Sequence, residues 1–154
     1  MIYNNILEKL GNTPLVKVEP IGLDNVNFYA KLECYNPMGS VKDRAAAYII
    51  KKILESGEIN KDTVIIESSS GNFGIALSAY CKKHGLKFYC VVDPDISPTN
   101  EYIIKSLSAE MIKVTELDEN KGYLTCYDLY QKCVKNNKLK KKIKIYINIF
   151  LIKI

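Results

Sequence analysis

Residues 63–85 read Thr63-Val64-Ile65-Ile66, then Glu67-Ser68-Ser69-Ser70-Gly71-Asn72-Phe73-Gly74, then a helix-length run closing on His84-Gly85. The first four are β-branched and short enough for a buried strand. Asn72 to His84 predicts a helix, with Gly85 as its stop and the cations Lys82, Lys83 and His84 at its end. Strand, loop, helix is the reading, and the alternation continues on both sides. Upstream, Ser40 to Ser56 carries an apolar stripe of Val41, Ala45, Ile49 and Ile53, flanked by Ala46, Ile50 and Leu54 and ended by Gly57. Downstream, Leu86 to Val92 predicts a strand and Ser97-Pro98 opens a third helix as N-cap and first-turn proline. Met111 to Val114 predicts another strand and Tyr123 to Val134 a fourth helix. This is the pattern of an α/β fold, a parallel sheet flanked by helices, with ligands bound beyond the carboxyl ends of the strands.

Three stretches divide the chain. Residues 1–35 hold a short helix (Asn4 to Leu10) and two strands (Leu15 to Val18, Asn27 to Glu33); residues 36–135 hold the alternating α/β part. Residues 136–154 use only Asn, Lys, Leu, Ile, Tyr and Phe. Ile143 to Ile149 alternates as an edge strand does, while the abrupt change of composition suggests a shifted reading frame or an eroded gene end.

Two loops can carry chemistry. In Asn36-Pro37-Met38-Gly39-Ser40-Val41-Lys42-Asp43-Arg44, Ser40 followed by Asp43 resembles a capping box, which puts Lys42 in the first turn of a helix. The positive end of the helix dipole disfavours an ammonium there, and a destabilised ammonium suits a Schiff-base lysine. A solvated lysine balanced by Asp43 fits the same spacing. In Glu67 to Gly74, three hydroxyls, a glycine and free backbone N–H groups at a helix start make a cradle for a carboxylate or phosphate. An ordinary Ser-capped turn fits as well. The loop matches neither GxGxxG nor the P-loop pattern.

Composition removes other chemistries. At 47% hydrophobic and 25% charged, the 154 residues are globular in character, one domain or part of a larger one. The single His84 leaves no zinc site that needs several histidines, and a Ser/His/Asp triad would have to rest on it. The five cysteines form no CxxC pair and are odd in number, which fits free thiols in a reducing compartment. No run approaches the roughly 18 apolar residues of a membrane span, and the start lacks a secretion signal, so a cytoplasmic protein without membrane partners is expected. Seven lysines and no acid in 135–154 leave 15 basic against 17 acidic residues in 1–134, so the net +5 belongs to the tail. That tail has no Arg and no nucleic-acid fold beside it; no nucleic-acid partner is expected.

Taken together, Gly11-Asn12-Thr13-Pro14-Leu15, Lys31-Leu32-Glu33, Asn36-Pro37, Gly39 to Arg44, Ser69-Ser70-Gly71-Asn72 and Gly74-Ile75-Ala76 resemble the cysteine synthase family. These are pyridoxal-phosphate enzymes of the tryptophan-synthase-β-like fold, and the resemblance covers roughly residues 5–134. Val91 to Asn100 and Gly122-Tyr123-Leu124 are similar to one branch, which joins O-phosphoserine to glutamate in 2,3-diaminopropionate synthesis.

The resemblance implies β-replacement on an O-activated serine (O-phosphoserine or O-acetylserine) by an amine or sulfide nucleophile. It implies pyridoxal 5'-phosphate as cofactor, linked to Lys42, which then removes the Cα proton. Ser69, Ser70, Gly71 and Asn72 would grip the carboxylate of a small amino-acid substrate, with Asn72 also facing the cofactor ring. Phe73 stands where many relatives carry Thr. The family is homodimeric and about twice as long. Its cofactor-phosphate loop lies in the half not matched here, so weak cofactor retention and impaired activity are expected. Residues 1–35 would pack in relatives on that other half; the alternative is a non-catalytic module that associates with a full-length relative or a partner enzyme.

Overall fold

The computed structural model describes residues 2–19, 22, 26–57, 59–60, 63–107 and 109–114, and the backbone of 143–146. The stretch Val64 to Ser68 forms a strand (β3), beginning one residue later and ending two residues later than its β-branched core predicted. It lies inside a four-stranded parallel sheet with β4 (Lys87–Val92), β5 (Glu110–Lys113) and β6 (Ile143–Tyr146), in the order β5-β4-β3-β6. Residues 64–66 of β3 pair with β6, and β3 pairs along its length with β4 from Val64↔Lys87 to Ser68↔Val91. The alternation of Ile143 to Tyr146 is thus that of a sheet strand. The helix expected over Tyr123 to Val134 lies outside the described residues.

Successive strands β3, β4 and β5 step to one side, whereas β6 is placed on the other side of β3. The strand order therefore reverses at β3. In open parallel sheets the crevice at such a reversal, beyond the carboxyl ends, is where ligands bind. The Ser-rich loop leaves β3 at that point.

Three helices cover one face: α1 (Lys42–Glu55), α2 (Asn72–Lys83) and α3 (Pro98–Ser106). Alternate strand residues Ile65, Phe88, Cys90 and Val92 meet Ala46, Ile49 and Ile50 of α1, Leu77 and Tyr80 of α2, and Ile104 of α3. Ile50, Ile65, Leu77 and Ile104 are fully buried, each removing enough apolar surface to contribute about 2 kcal/mol. The intervening residues Ile66 and Val91 cluster with Val114 on the opposite face. α2 is apolar nearly all round because it sits between α1, α3 and the sheet. It stops as expected at His84, before Gly85 in the left-handed conformation (φ +65). Ser97 caps α3 by accepting from the Asn100 N–H at 3.2 Å.

Leu54 and Glu55 of α1 share a groove with Tyr80, Lys83 and His84 of α2. The carboxyl-terminal turns of the two helices are therefore neighbours. The expected first helix is a short 3-10 turn at Ile6–Lys9, capped by Asn5. β1 (Leu15–Val18) and β2 (Phe28–Lys31) form a separate antiparallel ribbon. Leu15, Val16, Val18, Phe28 and Tyr29 are all exposed on it. No helix among the described residues is long and apolar enough to cross a membrane.

Candidate active site

The approach to α1 is built by one buried carboxylate. Gly39 takes a left-handed turn (φ +81) that suits a residue without Cβ, and its N–H donates to the Asn36 carbonyl at 2.9 Å. Asp43, fully buried, then accepts from the N–H groups of Met38 (3.1 Å) and Ser40 (3.3 Å). Burial raises the Asp43 pKa and these backbone donors oppose the rise. Only half of the expected capping box forms. Asp43 bonds back to Ser40, but the Ser40 hydroxyl accepts from Lys42 N–H (3.2 Å), so regular helix starts at Lys42. Lys42 is exposed, and its ammonium has no protein partner among the described residues.

A second polar cluster fastens the chain start to this turn. The Glu33 carboxylate accepts from Arg44 Nε (2.8 Å) and Nη2 (3.0 Å), from the Thr13 hydroxyl (3.0 Å) and from the Asn36 amide (2.7 Å). Arg44 above all, with Asn36 and Thr13, holds the Glu33 pKa down to about 2 against the effect of desolvation. Asn36 Oδ1 accepts from Gly11 N–H at 3.1 Å, and Lys31 donates to the Thr13 carbonyl. The Gly11 to Leu15, Lys31 to Glu33, Asn36 and Arg44 motifs are therefore parts of one clasp.

The Ser-rich loop is pinned at both ends. Ser69 N–H donates to Val91 O at 2.9 Å, and Cys90 Sγ donates to Ser69 O at 3.3 Å. Ser69 Oγ accepts from the N–H groups of Gly74 (3.0 Å) and Gly71 (3.4 Å), so it caps α2 although Gly71 holds the N-cap position. Ser70 turns the other way. Its hydroxyl donates to Asp93 Oδ2 and accepts from Asp93 N–H, both at 2.7 Å, and its carbonyl accepts from the Asn100 amide at 2.9 Å.

What remains is a set of donors. The backbone N–H groups of Ser70, Asn72 and Phe73 have no partner among the described residues, nor does the exposed Asn72 side chain. Unpaired N–H groups around the first turn of a twelve-residue helix attract an anion by bonding and by the helix dipole. The Phe73 ring lies in the core, so its share in the cradle is backbone alone.

Asn72 and Lys42 open neighbouring helices, and Ser69, Ser70 and Gly71 lie in the loop between β3 and α2. Three side chains at the site were not singled out by sequence reasoning. Asp93 and Asn100 brace Ser70, and Glu67 sits beneath the loop, 6% exposed. Glu67 Oε1 accepts from Ser68 N–H at 2.9 Å while Oε2 has no partner among the described residues, and burial pushes its pKa up to about 7. An acid directly after the apolar run Val64-Ile65-Ile66 was the available signal for it.

Residues 6–149 match the family described as Pyridoxal-phosphate dependent enzyme. The chain belongs to that family. The N-(2-amino-2-carboxyethyl)-L-glutamate synthase of Cupriavidus metallidurans is 49% identical over 125 residues, 80% of this chain and 37% of that protein. Among solved structures, cysteine synthase from Entamoeba histolytica superposes with a TM-score of 0.77 at 32% identity, over 96% of this chain and 43% of that one. A hydrogen sulfide-producing enzyme from Fusobacterium nucleatum gives 0.76 at 33% identity, over 96% and 45%. The chain spans less than half the length of these relatives. The pyridoxal-phosphate family assignment and the parallel α/β fold agree with the resemblance carried by the motifs.

Proposed function

We propose that this chain carries the cofactor-linking lysine and the substrate-carboxylate loop of a pyridoxal-phosphate dependent β-replacement enzyme. The substrate would be an O-activated serine, O-phosphoserine or O-acetylserine, and the incoming nucleophile an amine or sulfide. The observation that carries this reading is the set of unpaired N–H groups of Ser70, Asn72 and Phe73 at the start of α2, a helix packed against α1, which Lys42 begins.

The residues present fit the cofactor's demands. Lys42 is an exposed amine without a competing protein partner among the described residues, and the unpaired Asn72 amide begins the adjacent helix. When bound, pyridoxal phosphate supplies an acceptor for the electrons of a cleaved Cα–H bond. The chain's own work is positional and acid–base. The cradle holds the substrate carboxylate, which fixes Cα, and the Lys42 amine takes and returns the Cα proton.

Incubation with pyridoxal phosphate followed by borohydride, read by peptide mass spectrometry, tests the assignment. Cofactor mass on the peptide containing Lys42, absent in Lys42→Ala, is expected. Labelling spread over several lysines and unchanged in Lys42→Ala would remove Lys42 from the role.

One observation favours a second reading, in which the chain associates with another through its ribbon. A two-stranded ribbon is marginal in water by itself, and this one exposes Leu15, Val16, Val18, Phe28 and Tyr29. Val16→Lys with Tyr29→Lys should abolish self- or hetero-association in size-exclusion chromatography. A parent chain that elutes as a monomer and captures no partner counts against it.

A further inference from the structure

Ser70 is the one hydroxyl of the loop whose hydrogen-bonding capacity is spent on another part of the protein. It donates to Asp93 Oδ2 and accepts from Asp93 N–H, both at 2.7 Å, across the gap between the ends of β3 and β4. The Asn100 amide, from the first turn of α3, takes the Ser70 carbonyl at 2.9 Å. A hydroxyl has one proton to donate, and here the Asp93 carboxylate receives it. The Ser70 side chain is thus directed away from the cradle to which its own N–H belongs.

We propose that Asp93 is a positioning residue for the anion cradle. Through Ser70, with Asn100 as a second strut, it sets the orientation of the Ser70, Asn72 and Phe73 N–H groups, and the Ser70 hydroxyl does not itself contact the substrate carboxylate. This rests on the reading of that cradle as the carboxylate site. It adds a specificity element, since the Asp93 carboxylate stands one side chain away from Ser70, whose N–H belongs to the cradle. A monoanionic carboxylate pays little for that neighbour, and a second anionic group reaching toward β4 is repelled.

The bond from the Ser70 hydroxyl to Asp93 Oδ2, at 2.7 Å, is short, as bonds to a carboxylate are. Losing the latch releases a loop peptide that the remaining bonds of Ser69 and Asn100 hold less tightly. One lost hydrogen bond corresponds to about a five-fold loss of affinity. Asp93→Asn keeps an acceptor for the Ser70 hydroxyl and its own N–H, so it preserves the latch while removing the charge.

The test is an NMR titration of the chain with L-serine, following the Ser70, Asn72 and Phe73 amides, in the parent, Asp93→Ala, Ser70→Ala, the double variant and Asp93→Asn. Asp93→Ala and Ser70→Ala should each weaken binding about five-fold. The double variant should be no weaker than either, and Asp93→Asn should match or exceed the parent. The free-state Gly71 and Phe73 amide shifts should move in Asp93→Ala and return in Asp93→Asn. Parental affinity in Asp93→Ala overturns the proposal. So does a full Ser70→Ala loss on the Asp93→Ala background, which would mean that Ser70 touches the carboxylate directly. Failure of all three parent amides to respond removes the cradle itself, and the positioning role with it.

Discussion

Gly74→Ala should destabilise the protein although it places a better helix former inside a helix. In an unconstrained helix the exchange stabilises by up to about 1 kcal/mol. At Gly74 a Cβ would stand 2.4 Å from the Ser69 carbonyl oxygen and 3.0 Å from Cys90 Sγ. The nearer atom is backbone and cannot swing aside. Its peptide is held on one side by Ser69 N–H to Val91 O and on the other by Cys90 Sγ. Relief needs a shift approaching 1 Å of either the helix start or the loop, at a cost of about 3 kcal/mol, the upper part of the overpacking range. The net loss is about 2 kcal/mol, or roughly 6 °C in Tm for a chain of this size. Urea and thermal unfolding followed by circular dichroism measure it. Cys90→Ala on this background should recover only a small part, because the thiol is the farther obstacle. A Gly74→Ala protein at least as stable as the parent would show that the loop yields freely, and the pinned-cradle argument would fail with it.

Glu67→Gln should stabilise the protein above pH 8 and do nothing below about pH 5. The folded-state pKa near 7 exceeds the unfolded 4.5, so neutral Glu67 is equivalent to Gln below 4.5 and the parent alone loses stability as pH rises through 7, by at most about 3 kcal/mol in urea unfolding; a flat pH dependence of the difference contradicts it. Glu33→Gln should speed amide exchange at Gly11 and Leu32, since Arg44 and Thr13 lose a charged acceptor. In the parent the clasp is present above pH 4.5 and is lost only as pH falls through about 2, so unchanged exchange in Glu33→Gln at pH 7 would refute it. Leu77→Ala, fully buried among α1, α3 and the sheet, should cost about 3 kcal/mol in the same unfolding assay.

The fold was legible because each element kept its own period. The stripe of α1, the β-branched run of β3 and the Ser97-Pro98 start of α3 all yield the observed elements to within two residues. Legible too was the loop with the free donors, since Ser, Gly and Asn after a strand announce a helix start with free N–H groups. The division of labour inside that loop was not legible. Nothing in Ser69-Ser70-Gly71 tells that Ser69 caps the helix while Ser70 reaches a residue 23 positions away. The clasp shows the same limit. Its motifs were recognised as a set, but their common cause, one Glu33 carboxylate collecting Arg44, Thr13 and Asn36, exists only once residues 11–15 have folded against 33–44. Glu67 looked like the first residue of a polar loop, and only the register Glu67↔Cys90 shows that it is still a strand residue and faces the helices.

Two fasteners thus act on two helix starts. The Glu33 clasp and the Asp43 turn fix Lys42 at the start of α1, and the Asp93–Ser70–Asn100 latch fixes the free N–H groups at the start of α2. Both are made by residues between 11 and 100, and α1 and α2 are joined by a shared apolar core that includes Ile50 and Leu77. The polar fasteners of both helix starts therefore lie within residues 11–100, while the core that joins the two helices also takes Ile104 of α3. On the proposed reading, carboxylate binding at the α2 start and cofactor capture at Lys42 are separable. A variant that breaks the latch should weaken the first about five-fold and leave the second unchanged.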